Sequence, residues 1–336
     1  MLRYIVKRLF YAILTLFVIA SITFFLMKIL PHNPFNDPKI KPEVRAALEK
    51  KYNLDKPILV QYGLYLKNLV KGRIFFPELP IRNRLSMPWN RDSFLRKNRA
   101  LCISMKEAGR SVNAIIRENF PNSFAIGWRA AVFATVFGLL LGIVAALNHE
   151  GLLDYLSILI AIIGVSIPSI VLGPILAYFL GVELGWFPVT VNESEWSLVL
   201  PSVTLGLGSL ALISRLMRSS TLEVMGQDYI NTAKAKGLSK GEIIWGHVIR
   251  NAIMPVVTVL GPTFASLITG SIVIENIFAV AGLGKYFVKS IYESDYSMIM
   301  GITIFYAALI ILSMLLVDII YGLIDPRLRV KGKGGK

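Results

Sequence analysis

Phosphate chemistry is the first activity to test against this chain. A phosphate cradle needs Gly-x-x-x-x-Gly-Lys-Ser/Thr, so that backbone amides and the lysine hold the anion. The two Gly-Lys pairs, Gly284-Lys285 and Gly332-Lys333, are followed by Tyr286 and Gly334, and neither fits. His32, His149 and His247 lie far apart in the sequence, with no zinc spacing among them. Cys102 is the single cysteine, so no intrachain disulfide can form. No nucleophile–base pair and no metalloprotease His-Glu pattern stands out in the sequence. These residues predict a chain that is not an enzyme, with no catalytic residue, no metal and no cofactor. If ATP drives its work, another chain hydrolyses the ATP.

The elements that would carry any site are membrane helices. The chain has 336 residues, 54% of them hydrophobic, and a mean hydropathy of +0.60. A soluble domain of this size is usually less apolar, so an integral membrane protein is expected. A net charge of +15 could indicate nucleic acid. In a chain this apolar it marks cytoplasmic loops and lipid headgroups, and no nucleic acid partner is expected. Uncharged stretches at 9–27, 130–147, 155–182, 197–214, 252–274 and 296–317 predict six spans in an all-α fold. Nineteen residues at 1.5 Å each nearly cross a hydrocarbon core of about 30 Å. The first stretch lacks a small-residue cleavage site and reads as a retained helix. The third carries Gly164, Pro168, Gly173 and Pro174, which kink a span where neighbours can satisfy the freed carbonyls. Trp186 and Trp196 are placed as interfacial anchors. Gly138, Gly142, Gly206 and Gly208 suit close helix packing. Asp318, near the inner end of the last span, reads as an acid that snorkels or pairs with a helix end.

Charge sets the orientation. Fourteen Lys and Arg fall in the N-terminus, in 215–250 and after Asp325, against two, Lys285 and Lys289, in the short loops of the other side. This predicts cytoplasmic termini; the long segment after the first span is left out, because long loops do not obey the rule. The chain divides into an N-terminal transmembrane helix (1–30), an extracytoplasmic segment (31–110), a five-helix core (111–326) with a cytoplasmic loop at 215–250, and a basic tail (327–336). Within the second part, 48–72 reads as an amphipathic helix with Leu54, Leu59, Tyr62, Leu66 and Leu69 on one face. Residues 111–121 read as an amphipathic stretch lying on the outer membrane face.

The loop at 215–255 is too patterned for a slack linker. Residues 228–236 are rich in helix formers, and Gly237 suits a left-handed helix end. Ser239 and Glu242 have capping-box spacing, so a second short helix can start there. Pro255 falls where the next span would begin, in a first turn that tolerates it. A helix–Gly–helix platform of this kind needs something soluble to dock on.

The run DYINTAKAKGLSKGEIIWGHVIRNAIMP resembles the cytoplasmic coupling loop of ABC-importer permeases, and more closely that of their dipeptide/oligopeptide branch. Asp228, Ala233, Ala235, Lys236, Gly237, Leu238, Asn251, Ala252 and Pro255 match that branch. The general Glu-Ala-Ala-x-x-x-Gly signature is met only at Ala233 and Gly237, since Asn231 and Thr232 replace its first two residues. Further matches are the "LDKP…VQY" run, Glu275-Asn276-Ile277-Phe278 with Gly282-Leu283-Gly284, and Asp325-Pro326-Arg327. Ala281 stands where the family has Pro, and Pro31-His32-Asn33-Pro34 replaces Pro-Gly-Asp-Pro. Residues 73–106 look like an insertion.

The resemblance implies a permease subunit of an ATP-driven importer in the cell membrane, for dipeptides or oligopeptides, working by alternating access. It implies two ATP-binding subunits on the cytoplasmic face, a second similar permease as partner and an extracytoplasmic solute-binding protein. Asp228, Tyr229, Ala233, Ala235, Lys236, Gly237, Leu238, Ser239, Glu242, Asn251 and Pro255 would form the ATPase-coupling loop. Three rival classes are a self-contained secondary transporter or channel, a membrane enzyme and a structural scaffold. The first would want mid-span charge or an inverted repeat, and neither is seen; the second would want the catalytic constellation that is missing.

Overall fold

The structure, a computed structural model, describes residues 2–29, 34–35, 40–70, 104–107, 110–190 and 194–324, with side chains described from residue 6 to 317. The insertion at 73–106 (apart from 104–106), the Asp325-Pro326-Arg327 motif, the basic tail, residues 31–33 and the Asp318 side chain lie outside the described residues. Helix is the regular structure among the described residues: α1 Leu2–Ile29, α2 Pro42–Lys51, α3 Ile58–Val70, α4 Val112–Leu147, α5 Leu152–Ser166 and α6 Ser169–Leu176 come first. A π-helical turn, Ala177–Glu183, and a 3₁₀ turn, Glu195–Leu198, lead to α7 Val199–Met225. Then come α8 Asp228–Ala235, α9 Lys240–Glu242, a second π-helical turn Ile243–Ile249, α10 Arg250–Ile268, α11 Ile272–Ile277, α12 Leu283–Tyr292 and α13 Tyr296–Ile324.

Five helical stretches among the described residues are long and apolar enough to cross a membrane: Val6–Ile29, Val112–Leu147, Glu195–Met225, Lys240–Ile268 and Tyr296–Val317. The sixth crossing is broken. α5 and the segment Ser169–Glu183 meet at a bend of 114°. The break falls where Ile167 is extended (φ −94°, ψ 116°) and where Pro168 has no N–H to continue the ladder. The two pieces nonetheless travel the length of α7. Asp154, at the start of α5, pairs with Arg218 near the end of α7. A Cβ built on Gly164 would lie 2.9 Å from the Leu207 carbonyl oxygen, and one on Gly181 would lie 3.6 Å from Leu200 Cδ1, in the first turn of α7. The segment starts at one end of α7 and finishes at the other, so it is one interrupted span, bent far beyond the kink its prolines suggested.

Three further expectations are corrected. Residues 111–121 are not a separate surface stretch: α4 runs unbroken through Pro121 for 36 residues. At 1.5 Å per residue that is about 54 Å, well beyond the hydrocarbon core, so the polar residues belong to an extension of the span. The fifth span ends at Ile268, not at 274, because Gly270 turns the chain at φ +81° before α11. On the amphipathic stretch at 48–72, Leu54 sits in a turn between two helices and Leu59 is exposed, while Tyr62, Leu66 and Leu69 do face the core.

The chain forms two compact units, residues 121–284 with 309–324, and residues 2–120 with 285–308. In the first, α7 is the axis, with α5, α6 and α10 packed on it. Leu210, Ile213 and Met217 of α7 meet Ala134 of α4 and Ala252 and Val256 of α10. Between helices in lipid, burial brings little hydrophobic gain, so contact distance decides stability. The small residues supply it: a Cβ at Gly142 would lie 2.6 Å from the Ser214 carbonyl oxygen, and one at Gly206 would lie 2.8 Å from that of Ala130.

The same unit explains the Glu275 and Gly-Leu-Gly matches. Glu275 is buried, and its carboxylate accepts a hydrogen bond from Ser123 Oγ (2.7 Å). The Ser123 hydroxyl oxygen accepts in turn from the Leu283 N–H (2.8 Å). Any side chain at Gly282 would overlap that carboxylate, its Cβ falling 2.2 Å from Glu275 Cδ. Ala281 contributes its carbonyl, which accepts from Asn122 Nδ2 (2.9 Å), a role that needs no proline.

The second unit joins α3 to α1. Phe24 stacks on Tyr65 at 5.5 Å, the Ser21 and Tyr62 hydroxyls share a hydrogen bond of 2.6 Å, and Tyr296, Met300 and Ile304 complete the cluster. Residues 104–107 are clasped to the turn before α13. Asp295 accepts from the Ser104 hydroxyl, from the Met105 N–H (2.9 Å) and from the Met298 N–H (3.1 Å). Lys289 Nζ bonds Glu107 Oε1 at 2.7 Å. That hydrogen bond holds the Glu107 carboxyl below its ordinary value of 4.5 and the Lys289 ammonium above 10.5. A depressed carboxylate adds stability above its unfolded value and loses it as pH falls through the folded one; a raised ammonium does the reverse at high pH. The clasp is therefore expected to hold through neutral pH and to loosen in acid below the usual glutamate range, and at the alkaline end only above the usual lysine range. Hydrogen exchange of amides 104–107, corrected for intrinsic rate, reads this directly. Protection already lost between about pH 6 and 5, above the ordinary carboxylate range, would show that the pair does not hold the segment.

Candidate functional site

The platform begins where α7 stops. Gly226 and Gln227 donate their N–H groups to the Glu223 and Val224 carbonyls (3.2 and 3.1 Å). Gln227 is then extended (φ −79°, ψ 146°) and turns the chain into α8. Asp228 in the first turn and Lys234 in the last both suit the helix dipole. Ile230 and Ala233 bury their side chains against Ile243 and Val248, with Val224 of α7 beside them. This small core packs α8 against the stretch that follows.

Between them the chain turns on Gly237. Its φ is +79°, and its N–H donates to the Lys234 carbonyl (3.0 Å) while that of Leu238 reaches back to Ala233 (3.4 Å). This six-to-one and five-to-two pattern is the Schellman helix end, which a left-handed residue makes possible. Ser239 then caps the next helix. Its Oγ accepts from the Glu242 N–H (3.3 Å), and its own N–H donates to Glu242 Oε2 (2.8 Å). The capping box read from the sequence is present in both directions.

Beyond the cap lies a departure from expectation. No second short helix ends before the span: α9, the π-helical turn and α10 run on from Lys240 to Ile268 without a break. Pro255 is therefore not in a first turn but inside α10. It cannot donate to the Asn251 carbonyl four residues earlier. Asn251 Nδ2, in turn, donates to the His247 carbonyl (2.7 Å), satisfying an oxygen where π winding gives way to α. Of the predicted site residues, Asp228, Tyr229, Ala235, Lys236, Gly237, Leu238, Ser239 and Glu242 lie exposed on the platform. Ala233 is in its core, and Asn251 and Pro255 are exposed on the helix that carries it.

One residue escaped the sequence reading. Trp245, in the π-helical turn, is 70% exposed, and Met225, Tyr229 and Leu238 are also exposed. The signal was weak: Trp245 has Val248 and Ile249 at helical spacing, and only the structure shows that Ile243 and Val248 face inward while Trp245 faces out. Across 215–250 six basic and three acidic side chains surround this apolar set. An exposed apolar set inside a basic rim is the composition of a protein-docking surface.

The family described as the binding-protein-dependent transport system inner membrane component matches residues 138–330, and its N-terminal companion matches residues 1–125. This chain belongs to that family. Its membrane subunits are permeases, and the chain is a multi-pass membrane protein. It is 44% identical to the dipeptide transport system permease protein DppB of Bacillus subtilis (strain 168), over 99% of this chain and all of that one. It is 39% identical to the oligopeptide transport system permease protein OppB of Haemophilus influenzae, over 98% of this chain and all of that one. The solved structure of the inward-facing MetNI methionine ABC transporter superposes with a TM-score of 0.51, covering 63% of this chain and 97% of the other at 20% identity. That likeness extends to the fold alone. The expected all-helical permease architecture stands, with a third span bent more sharply than its prolines suggested.

Proposed function

We propose that the chain is the membrane-spanning permease subunit of an ATP-driven, binding-protein-dependent importer for dipeptides or oligopeptides. The full-length identity to a dipeptide and an oligopeptide permease is the observation that carries this reading. The platform at 226–250 is its coupling element. One of two ATPase subunits seats it in a groove, and the pair close around ATP and shift it as a rigid piece. The cavity between this chain and a second, similar permease then switches its open side. Solute arrives from a binding protein docked on the extracytoplasmic face. The charge asymmetry supports a cell-membrane protein with both termini in the cytoplasm. Hydrolysis belongs to the partner chains.

Affinity purification of the tagged chain from its native membrane, with mass spectrometry and an ATPase assay, tests the reading. Recovery of ATPase subunits and a second permease, with hydrolysis rising on addition of a binding protein and a peptide, is expected. A chain that comes out alone under conditions that preserve known complexes would be a self-contained transporter instead. Trp245→Ala carries the docking claim. A central aromatic anchor is worth about 2 kcal/mol or more, so ATPase-subunit affinity is expected to fall by roughly 30-fold with the fold intact. Unchanged recovery at limiting ATPase concentration would move the docking surface elsewhere.

A further inference from the structure

The platform is fixed to the end of α7, yet the bend in the third crossing lies far from it along the chain. An ion pair joins the start of α5 to α7 close to the platform. Asp154, in the first turn of α5, is 2% exposed. Its Oδ1 accepts from Arg218 Nε at 2.6 Å and its Oδ2 from Arg218 Nη2 at 2.7 Å. The same Oδ2 accepts from the Glu150 N–H (3.0 Å), where the chain reverses at φ +61°. The carboxylate thus ties the 148–151 turn, the start of α5 and α7 together. Arg218 stands two turns before Met225, where α7 ends and the platform begins.

From Asp154 to Ser166 the chain is unbroken α-helix, a rod of roughly 20 Å. Its far end meets the break at Ile167–Pro168, with the 114° bend beyond. The approach of Gly164 to the Leu207 carbonyl and to Ala211 involves no charge, and a small slide there separates no ion pair. A two-point fork between a guanidinium and a buried carboxylate resists sliding, because sliding would leave a buried charge unpaired.

We propose that Asp154 and Arg218 are positioning residues for transport: their pair makes the start of α5 follow the end of α7, so that displacement of the platform rotates the α5 rod about the Ile167–Pro168 break. The inference rests on the importer reading given above. A pair that only staples the fold would leave coupling untouched once the protein is assembled, and that is the distinction to measure.

The test uses the complete complex, co-purified with its partner subunits and reconstituted in liposomes, with Asp154→Asn, Arg218→Lys and the exchanged pair Asp154→Arg/Arg218→Asp. Solute moved per ATP hydrolysed is measured. So is the distance between spin labels at positions 152 and 184, in a Cys102→Ser background, without nucleotide and with ATP trapped. In Asp154→Asn the stimulated hydrolysis should persist, while solute per ATP falls by about 10-fold, within the 5–150-fold range of coupling between sites. The nucleotide-dependent distance change should shrink with it. Arg218→Lys, which keeps the charge but not the fork, should fall in between, and the exchanged pair should recover part of the loss. Wild-type solute per ATP and an intact distance change in Asp154→Asn or Arg218→Lys overturn the proposal, whatever happens to melting temperature. If Asp154→Asn fails to assemble, Arg218→Lys decides alone. A wild-type complex without ATP-driven uptake refutes the importer reading instead, and it does so before any variant is compared.

Discussion

Replacing Gly237 with valine is expected to cut the solute moved per ATP by about 10-fold while leaving the chain in the membrane and the ATPase subunits bound. The cause is backbone alone. A Cβ built on Gly237 meets nothing within 4 Å, but the residue sits at φ +79°, where an L side chain costs about 1–2 kcal/mol. Valine escapes that cost by leaving the left-handed region, and the bonds to Lys234 and Ala233 then go. With them goes the fixed angle between α8 and the Ser239 cap, and a lever with a loose joint transmits less. A series makes the claim sharp. Asparagine tolerates the left-handed region, so Gly237→Asn should stay near wild type, with alanine below it and valine lowest. Equal losses in all three would mean that the partner needs bare backbone at this position; no loss in valine would mean that the angle is not used.

Gly127→Val is expected to do something different, which is to destabilise the folded protein. A Cβ there would lie 2.3 Å from the Leu267 carbonyl oxygen and 2.7 Å from the Ile268 Cα. Both are backbone atoms of the last turn of α10 and cannot swing aside. Even alanine, which gains about 1 kcal/mol of helix propensity over glycine, faces an overpacking cost of about 1–3 kcal/mol that backbone contact pushes upward. Sterics win for alanine by a little and for valine by more. A net loss of about 2–3 kcal/mol would lower the melting temperature in detergent by roughly 3–4 °C for a chain of this length. Gly63→Ala is the control: it is also helical, but nothing lies within 4 Å of its Cβ, so propensity alone acts and melting should hold or rise. If Gly127→Val melts like wild type, the approach of α4 to α10 is not as close as described.

What the sequence disclosed follows the range of the interactions involved. Gly237, Ser239 and Glu242 were readable because a helix end and a capping box are decided within six residues. The spans were readable because lipid imposes a length and a composition on them. The bend at Ile167–Pro168 was seen as a kink but not in its size, since 114° depends on what α7 and α11 offer the segment Ser169–Glu183 to lie against. Pro255 was misplaced by a local rule that holds only when a helix starts nearby; the helix had started at Ser239. Pro121 misled in the same way, within a helix continuous on both sides of it. The Glu275 and Gly282 matches were noticed, but their reason is a carboxylate occupying the volume of a missing side chain, a contact between two elements that no spacing reveals. Trp245 went unread because the loop was scanned for its break and its caps, not for what its surface would need covered.

The π-helical turn at Ile243–Ile249 has a consequence for how such chains descend from one another. A π turn holds about one residue more than an α turn, so the extra residue is absorbed locally. Without that, one added residue would rotate everything beyond it by roughly 100° about the helix axis. With it, the face shown at Ser239–Glu242 keeps its bearing relative to α10 whether the residue is present or absent. The length of this stretch is therefore free to drift by one position across generations, and aligned cousins should show their gap inside an unbroken helix rather than in a loop.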